Sequence, residues 1–176
     1  MKNILVFAGS NSKKSINKEL AMYASSLLNN VSSTILDLND FILPLYGLDE
    51  EAENGIPENS QKFQEFIKNS DGIILSLAEH NGNFSVAFKN IFDWMSRIES
   101  KLWNNKPMLL MATSPGARGG ASVLEIAKAR FPYMGGNIVA AMSFPSYFEN
   151  LKDGKVIDQH LDEKMQLAVE KLQEAL

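Results

Sequence analysis

The 176-residue sequence contains no cysteine and only two histidines, His80 and His160, which lie far apart in the chain. Thiol redox chemistry and cysteine-based metal sites are thereby excluded, and a histidine-rich metal site has too few ligands to form. Basic clusters are also scarce. The formal net charge is −4, and no Lys/Arg run exceeds the pair Lys13-Lys14. Such a chain offers no electrostatic footprint for nucleic acid. Long apolar runs are missing as well. The run Ile4 to Ala8 is too short for a secretory h-region, and no later run approaches a membrane span. The lack of cysteine fits a reducing cytoplasm, where the protein is expected to reside. What remains is a chain with 45% hydrophobic residues, suited to one domain over residues 1–176 with a sizeable core.

The apolar pattern alternates between strand and helix. Ile4 to Ala8 reads as a buried strand, followed by Ile16, Leu20, Tyr23, Ala24, Leu27 and Leu28 at helical spacing. Ser33 to Leu38 alternates polar and apolar residues, as a second strand does. Leu43 to Ser60, with two prolines, two glycines and an acidic cluster, reads as a long surface connection. Phe63, Phe66 and Ile67 mark a short helix. Gly72 to Ala78 is continuously apolar apart from Ser76, as a central parallel strand buried on both faces would be.

A helix is expected from about Phe84, with Phe88, Ile91, Phe92, Met95 and Ile98 on its core face. Lys89, Asp93 and Arg97 follow at i, i+4 and i+8 and can pair in sequence. Pro107 to Thr113 is a fourth strand, Ala121 to Ala129 a helix and Asn137 to Phe144 a fifth strand. Asp158 is the expected N-cap of a last helix carrying Leu161, Met165, Ala168 and Leu172. Five strands alternating with helices imply an α/β doubly wound parallel sheet, with strand order 2-1-3-4-5 and helices on both faces.

In such a sheet ligands sit beyond the carboxyl ends of the strands, at the point where the strand order reverses. The loops after strands one, three and four therefore matter most. The first, Gly9-Ser10-Asn11-Ser12-Lys13-Lys14-Ser15-Ile16-Asn17, opens a helix whose unpaired N–H groups attract anions. It contains no G-x-G-x-x-G and no G-x-x-x-x-G-K-[ST], which leaves a monophosphate site, or else an ordinary turn with Ser15 as N-cap. The second loop is Glu79-His80-Asn81-Gly82-Asn83, where Asn81-Gly82 is a turn former in its own right and His80 is equally compatible with a plain surface position. The third is Ser114-Pro115-Gly116-Ala117-Arg118-Gly119-Gly120, whose glycines let backbone N–H groups approach a flat ligand. Read singly, it is also a plain strand exit and helix start.

Taken together, these segments resemble the NADPH-dependent FMN reductase family, flavodoxin-like proteins that reduce flavins, quinones, azo dyes or chromate. The family's G-S-x-R-x-x-S-x-N loop matches Gly9 to Asn17, and its P-E-Y-N-G segment matches Ala78 to Gly82. Its L-K-N-A-x-D-W-x-S-R helix matches Phe88 to Arg97, and its S-P-G-x-x-G-G loop matches Ser114 to Gly120. Leu43-Pro44-Leu45-Tyr46 is similar to the family's segment after strand two. The resemblance implies FMN with its phosphate at Ser10, Ser12, Ser15, Ile16 and Asn17. The ring would lie against Glu79, His80, Asn81, Gly82, Ser114 and Gly116. It also implies NADPH or NADH as co-substrate, a small-molecule electron acceptor, and assembly as a dimer or tetramer. Phe92 and Trp94 could contact a second subunit or fill the core of their own. Neither a protein-derived acid–base catalyst nor a metal is implied, because the chemistry belongs to the flavin.

Five positions depart from the family pattern. Ser12 replaces Arg and removes a bidentate phosphate contact, for which Lys13 or Lys14 could partly substitute. His80 replaces Tyr beside the ring, Ala78 replaces Pro, and Ser85-Val86 replaces Pro-Gly. Two further readings stay open: a flavin-binding electron carrier with no NAD(P)H oxidation of its own, and, on the grounds of Ser12 and His80, a non-catalytic member with weakened FMN binding.

Overall fold

A computed structural model describes residues 1–176. The first strand, β1 (Lys2–Gly9), is followed by α1 (Ile16–Ser26), β2 (Val31–Ile35), α2 (Leu48–Asn54), α3 (Glu58–Asn69) and β3 (Gly72–Leu77). A tight hairpin, β4 (Glu79–His80) and β5 (Asn83–Phe84), leads into α4 (Val86–Ile98), β6 (Pro107–Thr113) and α5 (Ala121–Arg130). The chain ends with β7 (Asn137–Phe144), α6 (Tyr147–Asn150), the short hairpin β8 (Leu151–Lys152) and β9 (Lys155–Val156), and α7 (Gln159–Ala175).

The central sheet has five parallel strands in the order β2-β1-β3-β6-β7, which is the expected 2-1-3-4-5 topology once the hairpin strands are set aside. Successive side chains of a strand point to opposite faces. Accordingly Leu5 and Phe7 pack with Phe63, Ile67, Phe88, Ile91 and Phe131 of α3, α4 and the segment after α5. Ile4 and Val6 pack with Leu20, Ala24, Met165 and Leu172 of α1 and α7. Helices therefore cover both faces. Phe92 and Trp94 lie in the protein's own core, 5% and 0% exposed, so they are not available to a second subunit. The Trp94 indole N–H donates to the Pro44 carbonyl at 2.9 Å, which fastens the connection after β2 onto α4.

Several local expectations change. The second strand is Val31–Ile35 rather than Ser33–Leu38, because Asp37 turns the chain by accepting the Asn39 amide at 2.9 Å and capping a 3-10 turn over Leu38–Asp40. Leu36 and Leu38 are buried, so the apolar signal runs on past the last paired residue. The connection between residues 43 and 60 holds the helix α2, which buries no side chain and thus carries no apolar period. Its first turn bears Asp49, Glu50 and Glu51, favourable charges for a helix N-terminus. The helix expected from Phe84 begins at Val86. Ser85 is its N-cap, while Phe84 ends the hairpin. Lys89 pairs with Asp93 at 2.7 Å, but Arg97 reaches Glu51 of α2 at 2.9 Å instead of Asp93. Asp158 caps α7 by accepting the Leu161 amide at 2.8 Å. No helix is long and apolar enough to cross a membrane.

Candidate functional site

Strands β1, β3 and β6 are neighbours in the sheet and run in one direction, so the loops that follow them emerge side by side at one rim. In the first loop the hydroxyls shape the backbone. Ser10 Oγ accepts the Ser12 amide at 3.1 Å, Ser12 Oγ accepts the Lys14 amide at 3.3 Å, and Ser15 Oγ caps α1 by accepting the Lys18 amide at 3.1 Å. The amides of Ile16 and Asn17, the first two of α1, donate to no protein acceptor. Open N–H groups at a helix start, with three serine hydroxyls and the exposed Lys13 and Lys14 beside them, form a site of the right chemistry for a phosphate. Lys18 is occupied elsewhere, 2.6 Å from Asp37. Burial alone would raise the Asp37 pKa, but hydrogen bonds from Lys18 and Asn39 outweigh it and hold the carboxyl below its ordinary value.

Asn17 has a different task from the serines. Its side chain is buried, Nδ2 donates to the Thr113 carbonyl at 3.2 Å, and Oδ1 accepts from Ser76 Oγ at 2.7 Å and the Thr113 amide at 3.1 Å. One amide thus ties α1 to the ends of β3 and β6, and only the backbone N–H of Asn17 faces the loop. Nearby ties have the same character. Ser85 Oγ donates to the Gly9 carbonyl at 2.8 Å while capping α4, and Thr113 Oγ1 donates to the Phe144 carbonyl at 2.6 Å. At Gly9 a Cβ would stand 2.9 Å from Leu77 Cδ2 and 3.3 Å from Phe88 Cγ, so a larger residue would have to displace the Leu77 side chain and press on α4. Ser76, Ser85 and Thr113 are not among the expected site residues. Ser76, a lone hydroxyl inside the buried run of β3, was the available signal.

The second loop is the hairpin β4–β5, turned at Asn81 (φ 52°) and Gly82 (φ 75°), the conformation that Asn-Gly favours. His80 and Asn81 are exposed and Gly82 is half-buried. Glu79 faces inward, and its Oε2 accepts the Val123 amide at 3.1 Å in the first turn of α5. The carboxylate therefore binds the second loop to the helix that follows the third.

That third loop is equally braced. The Ser114 and Gly116 carbonyls accept the amides of Tyr147 and Ser146 at 3.1 and 2.9 Å, and Ser143 Oγ donates to the Gly119 carbonyl at 2.9 Å. Tyr147 in turn donates its hydroxyl to Glu19 of α1 at 2.6 Å. Burial and that carboxylate push the phenol far above its ordinary pKa, so it stays protonated. Gly116 is exposed, and a Cβ there would meet nothing closer than Ser114 Oγ at 3.8 Å. The ring side thus presents bare backbone at Gly82 and Gly116, open to a flat molecule. All the expected site residues lie on these loops or at the start of α1. The groups they offer toward a ligand are chiefly backbone N–H groups and short hydroxyls, and Ser15, Asn17 and Glu79 use their side chains to hold the rim.

A flavodoxin-like sheet with open amides at a helix start and two glycine-backed loops at the switch point is the architecture of nucleotide-binding α/β proteins of the FMN class. The family profile of NADPH-dependent FMN reductase matches residues 2–150, and the chain belongs to that family. A quinone reductase from Pseudomonas putida is 36% identical over 120 residues, covering 67% of this chain and 63% of that protein. A 2-hydroxy-1,4-benzoquinone reductase from Burkholderia sp. is 34% identical over the same shares. The matched stretch thus spans less than two thirds of these relatives' length. Among solved structures, the flavoenzyme NAD(P)H:(acceptor) oxidoreductase FerB from Paracoccus denitrificans is 27% identical with a TM-score of 0.77, covering 99% of this chain and 96% of that one.

Proposed function

We propose that this chain is an FMN-dependent oxidoreductase that takes electrons from NADPH or NADH and delivers them to a quinone, a free flavin or a similar small acceptor. The observation that carries the proposal is the pair of uncommitted amides at Ile16 and Asn17, ringed by hydroxyls and facing two open, glycine-backed loops on neighbouring strands. Family membership and the quinone-reducing relatives support the same reading. FMN held at this site would supply the redox chemistry between the nicotinamide and the acceptor.

The chain's own residues hold and orient. The phosphate would rest on the Ile16 and Asn17 amides with Ser10, Ser12 and Ser15, the positive end of α1 behind it and Lys13 or Lys14 in place of the missing Arg. The ring would lie along Glu79, His80, Asn81 and Gly82 on one side and Ser114 and Gly116 on the other. Backbone N–H groups there would favour negative charge on the ring, and no side chain needs to move a proton. Residues 1–176 act as one unit in this reading, in the cytoplasm. A dimer or tetramer is proposed through the exposed Ile42, Leu45 and Leu48 beside α4.

The test is direct. Purified protein titrated with FMN should quench flavin fluorescence, and the complex should oxidise NADPH when a quinone is added. Bound flavin that only a partner reductase can reduce would point to an electron carrier. Absence of both binding and turnover would sink the proposal and leave a non-catalytic member, the reading that Ser12 and His80 favour.

A further inference from the structure

The three rim loops are short of free negative charge. Neither the first nor the third loop has an acidic residue, and the one carboxylate of the second, Glu79, is already engaged by the Val123 amide. Lys13, Lys14 and Arg118, by contrast, are exposed, and none of them takes part in an ion pair. A cationic rim on a chain of net charge −4 is a local feature rather than a reflection of composition. Lys13 and Lys14 stand beside the open amides of α1. Arg118 stands across the rim, on the loop after β6, two strands away from β1.

The backbone of Arg118 is fixed while its side chain is free to grip. Its carbonyl accepts from the Ala121 amide at 3.0 Å and shares the one Ser143 hydroxyl proton with the Gly119 carbonyl, each oxygen 2.9 Å from Oγ. The next residue, Gly119 (φ 55°), is enclosed so tightly that a Cβ would lie 2.6 Å from the Phe144 and Pro145 backbone. The guanidinium donates once, through Nη2 to Ser122 Oγ at 2.9 Å, and its other N–H groups remain available. A planar fork of donors on an immobile root, held by one weak tether, suits an anionic oxygen group better than a point charge does. In the family pattern S-P-G-x-x-G-G this position is unspecified, so the pattern itself assigns Arg118 no role.

We propose that Arg118, tethered by Ser122, binds a negatively charged oxygen group of a co-substrate at the ring side of the rim and makes the enzyme prefer the co-substrate that carries this additional anionic group over its counterpart without it. The inference rests on the oxidoreductase reading. The ligand chemistry is a phosphate monoester or an ionised hydroxyl. The first is present in NADPH and absent from NADH; the second is present in a hydroxyquinone and absent from its parent quinone.

The Arg118→Gln variant keeps most of the side-chain length and loses the charge. It is compared with wild type, both loaded with FMN, in two ratios of kcat/KM: NADPH to NADH, and 2-hydroxy-1,4-naphthoquinone to 1,4-naphthoquinone. Loss of a charge-assisted contact should lower one ratio about tenfold, mainly through KM, with partial recovery in Arg118→Lys. A fall in the first ratio identifies the reductant's phosphate as the ligand, and a fall in the second identifies the acceptor's oxygen. Both ratios holding within about twofold, with flavin bound in both proteins, would overturn the inference alone and leave Arg118 as a surface partner of Ser122. Wild-type protein that binds no FMN would overturn the oxidoreductase reading and this inference together.

Discussion

Replacing Asn17 by Ala tests whether the rim is held by its buried amide. The substitution strands the Ser76 hydroxyl, the Thr113 amide and the Thr113 carbonyl, each of which now meets Asn17 within 3.2 Å. A buried polar group left without a partner costs about 1–3 kcal/mol, so three of them set a range of roughly 3–9 kcal/mol. Water entering the vacated polar space recovers part of that. We expect a net loss of about 4 kcal/mol, which for a chain of this size lowers Tm by roughly 8–16 °C. Urea unfolding followed by tryptophan fluorescence is a suitable assay, because Trp94 and Trp103 are both fully buried. FMN affinity should fall in parallel, since the start of α1 loses its anchor to β3 and β6.

The companion Asn17→Asp variant checks the mechanism. Its charged carboxylate can still accept from Ser76 and the Thr113 amide, but it turns an oxygen toward the Thr113 carbonyl with no proton between them. Protonation restores that donor, so the folded-state pKa of the new group is raised above its unfolded value. The penalty relative to wild type should therefore shrink as pH falls through the raised value toward the ordinary carboxylate range. A loss below about 1 kcal/mol in the alanine variant, or a pH-independent penalty in the aspartate variant, would refute the reasoning.

Other expectations follow from the same geometry. Ser12→Arg should tighten FMN binding about tenfold by restoring a bidentate phosphate contact, as read by flavin fluorescence; unchanged affinity would mean that the phosphate does not sit on this loop. His80→Tyr should strengthen contact with the ring and slow flavin release, measurable by stopped-flow dilution, with little change in Tm because His80 is exposed. In Asp37→Asn the cap on Asn39 survives while the attraction to Lys18 is lost. Because the folded pKa of Asp37 is depressed, its charge stabilises the protein above the unfolded value, and that contribution disappears as pH drops through the folded one. The stability gap between wild type and this variant should narrow on acidification, and a constant gap from neutral pH to pH ~3 would count against the ion pair. Glu79→Ala should leave the core intact yet loosen α5 from the hairpin, seen as faster hydrogen exchange at Val123, with Glu79→Gln retaining much of the protection through its amide oxygen.

The parts of this fold that could be read from sequence are those with strong burial. β1 and β3 are apolar because helices cover both of their faces, and α7 shows its period because one side packs on the sheet. The misplaced boundaries have physical causes. Leu36 and Leu38 are buried from a turn, so they imitate continued strand, and Phe84 packs under α4 from a hairpin, so it imitates the first turn of that helix. α2 has no apolar face at all. It is held by contacts such as Arg97 to Glu51 that join residues far apart in sequence, and no local pattern contains them. At the site, residue types pointed to three loops that the sheet brings to one rim, because short hydroxyls and glycines are what a close-approaching anion and a flat ring would require. The roles of individual side chains were less legible. A sequence letter does not distinguish an asparagine that offers its side chain from one that offers only its backbone amide, as Asn17 does.

That distinction bears on how this chain departs from its family. The side chains that fasten the rim, Asn17, Ser76, Ser85, Thr113 and Glu79, point inward and bind backbone or one another. Ser12 and His80, two of the positions where the family pattern is broken, are exposed at the rim and carry no tie between strands. The scaffold therefore gains nothing from an Arg at position 12 or a Tyr at position 80. In the proposed site their absence would cost ligand contacts, while strand order, loop placement and the open amides of Ile16 and Asn17 stand without them. Cofactor affinity and co-substrate preference can drift through such positions without passing through an unfolded intermediate, whereas a change at Asn17 or Glu79 must be matched by its partners across the rim. In this architecture, substitutions at the exposed rim positions tune what is bound, and the buried amides and hydroxyls decide whether there is a cradle to bind it.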